Sequence, residues 1–237
     1  MYPEFNIIPP FFEFGPKAYI YGEELLQLAK YADQVSLKYN VPLIITPQYV
    51  DIPLLKHETK HLLIFAQHMD PLQIGRGIGA VLPEALKSAG AVGVLLNHAE
   101  KPLPLEIIGQ TIRRADEVGL ASMVCAGNLD EIQDIAKLGP NILLAEAPEL
   151  IGTGKRSKED QEVIKRINDL VGKIDPKIQI LHGAGISCGQ DVYDVITAGA
   201  QATGSTSGII KAEDPQAMLD DMLKNVRSAW NQTHSLD

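Results

Sequence analysis

The feature that most constrains the fold of this 237-residue chain is the alternation of short apolar runs with amphipathic helical segments. Eight apolar runs predict strands, namely Asn6–Phe14, Pro42–Thr46, Leu62–Ala66, Ala91–Leu96, Ala121–Cys125, Ile142–Glu146, Ile178–His182 and Ala200–Ser205. Most of them are apolar at consecutive positions, which is typical of strands buried on both faces. Between them apolar residues recur at helical spacing, as in Leu105, Ile108 and Ile112. The pattern predicts repeated β-α units around one parallel sheet.

Signals at the ends of the helical segments agree with this organisation. The predicted starts are Asn128 with Glu131, Ser157 with Asp160, and Asp214 before Pro215, and the predicted stops are Gly90, Gly119, Gly139 and Gly199. About eight units in a chain of this length indicate a single (β/α)8 TIM barrel, for which ~250 residues is typical. The alternative is an open doubly wound sheet, which is disfavoured because no Gly-x-Gly-x-x-Gly follows the first strand. We expect one domain over residues 1–237, with residues 231–237 as a polar tail.

Composition and charge exclude several classes of partner. The formal net charge is −9, so a nucleic-acid partner, which needs basic patches, is not expected. The first residues lack the basic and apolar regions of a secretory signal, so none is expected, and no apolar stretch reaches the ~20 residues that span a membrane. Cys125 and Cys188 end or follow apolar runs and are expected to be buried thiols in a cytoplasmic protein. Cys-x-x-Cys does not occur, and no metal is expected.

The strongest candidate for chemistry is Glu146. It ends an apolar run and begins the loop Ala145-Glu-Ala-Pro-Glu-Leu-Ile-Gly-Thr-Gly154. Polar residues at the C-terminal ends of barrel strands carry catalysis, and the glycines of this loop suit a hinge or an anion-binding backbone. A solvated loop residue or a helix-cap acid is the simpler interpretation of Glu146. Glu149 lies in the same loop, and spacing does not decide which carboxylate works.

The fourth predicted strand ends in Leu95-Leu-Asn-His98-Ala-Glu100. A histidine just past a buried run is placed to hydrogen-bond a substrate carbonyl or to move its proton. Alternatively, His98 is satisfied by the backbone, and Glu100 caps the next helix, with Pro102 in its first turn.

Small residues after the last two strands predict an anion site. The segments are His182-Gly-Ala-Gly185-Ile-Ser187 and Gly204-Ser-Thr-Ser207-Gly208. A phosphate site after strands seven and eight is frequent in barrels, although each segment alone also fits a tight turn. Lys17, past the first strand, is a candidate to neutralise a phosphate or polarise an oxyanion; a plain surface lysine is the alternative.

Four segments, taken together and in order, resemble the triosephosphate isomerase family, in particular its short archaeal branch. They are Ala66-Gln-His-Met-Asp-Pro71, Asn97-His-Ala-Glu100, Ala145 to Gly154, and Gly183-Ala-Gly-Ile-Ser187. The resemblance implies that Glu146 is the catalytic base, that His98 is a neutral electrophile and that Glu100 is a supporting carboxylate. It also implies that residues 148–154 form a closing lid and that Gly152, Gly185, Thr206 and Ser207 hold the phosphate. The implied reaction is aldose–ketose isomerisation through an enediolate, without a cofactor, in a dimer or tetramer. The family is itself a standard example of pKa tuning and loop closure in a barrel, so those features are carried over from it.

The chain departs from the family pattern at two loops. Where the family has Asn-x-Lys, this chain has Glu13-Phe-Gly-Pro-Lys17, so Lys17 matches the lysine only with an insertion around Gly15. Without the insertion, Gly15 takes the lysine position and Glu13 the asparagine position. We prefer the first alignment because Lys17-Ala-Tyr19 resembles the archaeal Lys-Thr-Tyr. The third loop has Ile78 where the family usually places threonine.

These departures leave three functions open. The first is interconversion of dihydroxyacetone phosphate and glyceraldehyde 3-phosphate. The second is isomerisation of another short sugar phosphate, such as a tetrulose phosphate. The third, from a different class, is a barrel that binds a sugar phosphate without turnover.

Overall fold

The structure, a computed structural model, describes residues 1–146, 158–183 and 185–234. Eight parallel strands close into a barrel in chain order, β8 pairing with β1. The strands are β1 (Phe11–Phe14), β2 (Leu43–Ile45), β3 (Leu63–Ala66), β4 (Gly93–Leu96), β5 (Ala121–Ala126), β6 (Ile142–Ala145), β7 (Gln179–His182) and β8 (Ala202–Ser205). The predicted single-domain (β/α)8 barrel is confirmed, and the open doubly wound sheet is wrong.

The helices lie outside this barrel and follow the strands. They are α1 (Gly22–Tyr39), α2 (Ile52–Glu58), α3 (Pro83–Ala89), α4 (Leu105–Val118), α5 (Leu129–Lys137), α6 (Lys158–Ile174), α7 (Gly189–Thr197), α8 (Ser207–Ile210) and α9 (Pro215–Thr233). A short 3-10 turn, Tyr49–Asp51, precedes α2. Because α9 extends to Thr233, the first residues of the expected polar tail are helical.

Most predicted strands begin too early, and the first shows why. Residues from Asn6 were expected in the strand, but β1 begins at Phe11. Pro9 and Pro10 stand directly before it and have no N–H to donate to a ladder, so pairing starts only after them. At the other end of the barrel, β6 stops at Ala145, which leaves Glu146 as the first residue past the strand.

The helix starts predicted at Asn128 and Asp214 and the stops predicted at Gly90 and Gly119 are confirmed. Asn128 accepts the Glu131 N–H at 2.9 Å, and Asp214 accepts the Ala217 N–H at 3.0 Å. Gly90 and Gly119 follow α3 and α4 with φ of 108° and 77°, values in the left-handed region that favours glycine. Ser157 lies outside the described residues. The predicted first-turn role of Pro102 is wrong, because α4 begins three residues later, at Leu105, behind Pro104.

Two apolar cores follow from the alternation of side chains along the strands. One lies inside the barrel and includes Phe11, Phe65 and Leu144, whereas the other lies between barrel and helices and includes Phe12 and Phe14. Successive residues of a strand point to opposite faces. Glu13 therefore shares the inner face of β1 with Phe11, and a carboxyl group points into the barrel near its C-terminal end.

The two cysteines differ in burial. Cys125 is buried as expected, but Cys188 is only half-buried, and both are free thiols. In the described part of the chain, no helix is both long and apolar enough to cross a membrane.

Candidate active site

A polar cavity opens at the C-terminal ends of the strands. It consists of two adjoining lobes of about 330 Å³ and 320 Å³. The lobes share the side chains of Glu13, Lys17, His98, Glu100, Leu144, Glu146 and Thr206. One, the β7–β8 lobe, continues past Gly185 and Ser207; the other, the β2–β3 lobe, continues past Thr46 and Gln67. Seven of the eight predicted site residues thus line one cavity, and the eighth, Gly152, lies outside the described residues.

Glu146 sits directly after β6, where its backbone N–H still donates to the Ala126 carbonyl at 2.9 Å. Its half-buried side chain lies over Gly183, the residue that follows β7. A Cβ placed on Gly183 would lie 3.1 Å from Glu146 Cγ, which is tighter than ordinary contact, so a larger residue would displace the glutamate by a few tenths of an ångström. Glu149, the competing carboxylate, is outside the described residues.

His98 is held in a short loop that a single asparagine closes. Asn97 adopts a φ of 57°, donates from Nδ2 to the Cys125 carbonyl at 3.0 Å and accepts the Leu103 N–H at 2.9 Å. Within the loop, His98 Nδ1 accepts the Glu100 N–H at 3.1 Å. A nitrogen that accepts a hydrogen bond carries no proton, so this contact requires the ring proton to be on Nε2. Nε2 bonds no described residue, which leaves it free to donate into the cavity.

Lys17 owes its position to contacts from other loops. Its φ of 49° lies in the left-handed region, and its carbonyl accepts amide N–H bonds from Gln48 and Gln67, at 3.0 and 2.9 Å. Gln67 donates in addition to the Thr46 carbonyl at 2.9 Å. The two glutamines therefore fix a strained backbone whose side chain lines both lobes, and sequence reasoning assigned neither of them a role.

The Lys17 ammonium pairs with the carboxylate of Glu100, Nζ to Oε1 at 2.6 Å. This hydrogen bond is the main reason that the pKa of Glu100 lies below its ordinary value. The interpretation of Glu100 as a cap for the next helix is wrong, since α4 starts at Leu105 and the carboxylate is engaged by Lys17. The pair is partly exposed, with side-chain exposures of 34% for Lys17 and 66% for Glu100.

Glu13 forms part of the cavity floor. Its Oε1 accepts the Thr46 hydroxyl at 3.1 Å. Burial raises its pKa to about 8, with a further increase from Glu146 and opposing effects from Thr46 and Lys17. Sequence reasoning placed Glu13 only as a possible replacement for an asparagine and did not foresee a buried acid.

The candidate phosphate ligands meet at the end of the β7–β8 lobe. Gly185, with a φ of 72°, lies in the loop after β7, while Thr206 and Ser207 lie at the start of α8. The Ser205 hydroxyl ties these loops together by donating to the Ile186 carbonyl at 2.8 Å. Backbone N–H groups in the first turn of a helix lack intrahelical acceptors, which suits an anionic ligand. Gly152 and the predicted lid, residues 148–154, lie outside the described residues.

The loop between β3 and α3 borders the site at one end and is exposed to solvent further along. His68 is buried and bonds Asp70, Nε2 to Oδ1 at 3.2 Å, and burial lowers the pKa of the imidazole. The other Asp70 oxygen accepts the Val81 N–H at 2.7 Å. Between these anchors, Ile74 is 74% exposed and Ile78 fully exposed. In the described ranges, no group of three His, Cys, Asp or Glu side chains is arranged to hold a metal ion.

The fold and the site define a barrel whose polar cavity, at the C-terminal ends of the strands, joins a carboxylate, a neutral imidazole and a lysine. Comparison with known sequences gives the family. The profile of the family described as triosephosphate isomerase matches residues 17–221. The triosephosphate isomerase of Methanobacterium bryantii is 38% identical over 206 residues, which cover 86% of this chain and 91% of the relative. That of Sulfurisphaera tokodaii is 38% identical over 224 residues, which cover 93% of this chain and 97% of the relative.

The chain belongs to the triosephosphate isomerase family, a family of aldose–ketose isomerases, as the sequence motifs predict. The resemblance to archaeal members is also confirmed. The family profile begins at Lys17, so the strand that carries Glu13 lies outside the match.

Proposed function

We propose that this protein interconverts dihydroxyacetone phosphate and glyceraldehyde 3-phosphate, a reaction of glycolysis. The observation that carries the proposal is the convergence of Glu146, His98 and Lys17 on one cavity at the ends of three different strands. Membership of the family supports the same reaction.

In the proposed mechanism, the Glu146 carboxylate takes a proton from C1 of dihydroxyacetone phosphate. The C–H electron pair forms a C1–C2 double bond, and the carbonyl pair moves to O2, which gives an enediolate. His98 Nε2–H and the Lys17 ammonium stabilise the negative charge on O2. His98 gives its proton to O2 and takes the proton of O1, and Glu146 returns its own proton to C2. All electrons stay within the substrate, so the reaction needs no cofactor.

The substrate phosphate binds, in this proposal, at the end of the β7–β8 lobe. Gly185, Thr206 and Ser207 would contact its oxygens through backbone N–H groups and hydroxyls, with Gly152 completing the set. Glu100 supports Lys17 through the 2.6 Å ion pair. Glu146 lines the same lobe, so a phosphate held at its end would let the adjacent carbons of a three-carbon substrate reach the base.

A second candidate substrate is a tetrulose phosphate, and the β2–β3 lobe favours it. This lobe adds about 320 Å³ beyond Lys17 and has a polar lining that includes Thr46, Gln67 and His68. Polar side chains in an open lobe suit an additional carbon that carries a hydroxyl group. His98 and Glu146 serve this reaction equally well.

We further propose a cytoplasmic homo-oligomer. The exposed Ile74 and Ile78 support self-association, because an apolar loop tip anchored by Asp70 is costly to leave in water. Sedimentation velocity of the wild type and of Ile78→Glu tests the assembly. We expect a dimer or larger species that the charge weakens. A wild type that sediments as a monomer at micromolar concentration would refute it.

The deciding experiment is a coupled turnover assay on glyceraldehyde 3-phosphate, run in parallel on a tetrulose phosphate. Efficient turnover of the triose that is lost in Glu146→Gln supports the first candidate. Preference for the tetrulose supports the second. Sulfate or phosphate binding without turnover of either sugar would identify the non-catalytic barrel and refute both.

A further inference from the structure

Glu13 is a half-buried acid that the proposed mechanism does not use. It lies on the inner face of β1, where the two lobes of the cavity meet, and lines both of them. It is half-buried because the cavity leaves part of the side chain accessible, while the protein surrounds the rest. A carboxyl group in this position is within reach of any ligand that passes from one lobe to the other.

Two glycines make the space that the Glu13 carboxyl occupies. A Cβ placed on Gly204, its partner on β8, would lie 2.8 Å from Glu13 Oε2, and one placed on Gly15 would lie 2.8 Å from Oε1. Real side chains do not approach so closely, so both positions require glycine as long as Glu13 keeps its conformation. The Thr46 hydroxyl, donating to Oε1 at 3.1 Å, orients the carboxyl group.

The second oxygen of this carboxyl group is open to the ligand. Among the described residues, Glu13 Oε2 has no hydrogen-bond partner, and it is not among the fully buried unpaired atoms. An unpaired polar atom beside a cavity is a natural contact for a ligand. A protonated Oε2 would be a donor, whereas an ionised one would only accept.

The charges around Glu13 decide whether a phosphorylated ligand requires the Glu13 carboxyl group to be protonated or ionised. Charged and titratable side chains line the cavity around it at several positions: Lys17 after β1, Tyr49 and His68 after β2 and β3, His98, Glu100 and Lys101 after β4, Cys125 on β5, and Glu146 after β6. The described lining residues of β7 and β8 carry no titratable group. Lys17 is already paired with Glu100, and Glu146 must be ionised to act as a base. Lys101 is not among the charges that act on Glu13, so an ionised Glu13 would face a phosphate dianion with no unpaired cation beside it.

We propose that Glu13 acts as a neutral carboxylic acid whose Oε2–H donates a hydrogen bond to an oxygen of the bound substrate. The inference rests on the proposed function, to which it adds a residue that contacts substrate. Loss of the Glu13 proton converts the donor into a negative charge beside the phosphorylated ligand, so the ionised enzyme binds the ligand poorly. Since the pKa of Glu13 is about 8, this loss occurs on the alkaline side of neutrality.

The first test is the pH profile of kcat/KM for glyceraldehyde 3-phosphate between about pH 6.5 and 9. In the wild type we expect a fall to about one tenth by pH 9, one unit above the pKa. Glu13→Gln keeps a donor and cannot ionise, so its profile should be flat over this range, whatever its absolute rate. Glu24→Gln, at an exposed position of α1, is the matched control and should retain the wild-type fall. Glu13→Asn provides a second neutral side chain should glutamine impair folding.

The second test does not depend on turnover. Equilibrium dialysis with radiolabelled sulfate, a dianion that does not titrate in this range, measures affinity at pH 7 and pH 9. We expect binding about tenfold weaker at pH 9 in the wild type and equal at both pH values in Glu13→Gln. If both candidate sugars fail to turn over, the proposed isomerase function falls and this arm still decides the role of Glu13. An alkaline loss that persists in Glu13→Gln, a wild type unaffected up to pH 9, or sulfate that does not bind at pH 7 would each overturn the proposal.

Discussion

The two sides of the cavity are built in different ways. On the β4–β6 side, each side chain is positioned by its own loop or by the next strand: Asn97 closes the loop of His98, and Gly183, directly after β7, makes room for Glu146. On the β1 side, Lys17 depends on Gln48 and Gln67, which come from two other loops. The difference suggests that the proposed proton transfer resides on the locally determined side. The β1 side, where the chain departs from its family, would then set affinity and pH response.

The largest expected effect is on the β4–β6 side. Glu146→Gln should lower kcat by about 10²–10⁴-fold, the usual contribution of a positioned acid–base group. KM should change little, because glutamine preserves the shape of the side chain. Initial rates with glyceraldehyde 3-phosphate and a circular dichroism spectrum, to verify folding, provide the measurement. If the folded variant keeps more than a tenth of the wild-type kcat, another group, with Glu149 the first candidate, is the base.

Lys17→Ala should have the next largest effect and should act differently. Removal of the ammonium takes away charge that favours both the phosphorylated substrate and the enediolate, so KM should rise and kcat fall, together about 10²–10³-fold in kcat/KM. Lys60→Ala, an exposed lysine just before β3 at the opposite end of the barrel, is the matched control. Unchanged kinetic constants for Lys17→Ala would mean that the alignment with an insertion at Gly15 is wrong and that Lys17 is a surface lysine.

The accuracy of prediction from the sequence also differs between the two sides of the cavity. Eight β-α units, the helix caps at Asn128 and Asp214, and the strand ends that carry His98 and Glu146 are encoded in short stretches of chain. The predicted start of β1 is wrong because apolar character outweighs Pro9 and Pro10 in the pattern. Such errors shift the boundary of a strand by a few residues along the chain.

The β1 side could not be predicted in this way, because its structure depends on residues far apart in the chain. The Lys17 carbonyl accepts a hydrogen bond from Gln67, and Gly204 leaves the space for Glu13. A single sequence does not indicate which glycine faces which carboxyl group, because these residues meet only in the closed barrel.

The buried acid on the β1 side predicts a pH dependence of stability. The folded-state pKa of Glu13 is about 8, above its ordinary 4.5, so between these values the folded protein holds a proton that the unfolded chain has lost. Stability therefore falls as pH rises through this window, and the full cost is reached above pH 8. Between pH 5 and pH 8 this amounts to at most about 4 kcal/mol.

Thermal unfolding of the wild type and Glu13→Gln at pH 5 and pH 8 measures this cost. The difference in Tm, variant minus wild type, should increase by up to about 10 °C from pH 5 to pH 8. A difference in Tm that stays constant would show that Glu13 titrates normally and is better hydrated than its position on the cavity floor implies.

The smallest expected effect distinguishes Glu100, in the loop after β4, from its ion-pair partner Lys17 on the β1 side. Because the Lys17–Glu100 pair is partly exposed, its interaction is worth no more than about 1 kcal/mol, so Glu100→Gln should lower kcat/KM by about fivefold or less. If Glu100 acts only by holding the ammonium, the substitution should have no further effect in a Lys17→Ala background, which a double-mutant cycle measures. A fall of a hundredfold, or one that persists without Lys17, would mean that Glu100 contacts substrate directly. In that case the two sides of the cavity would share the chemistry.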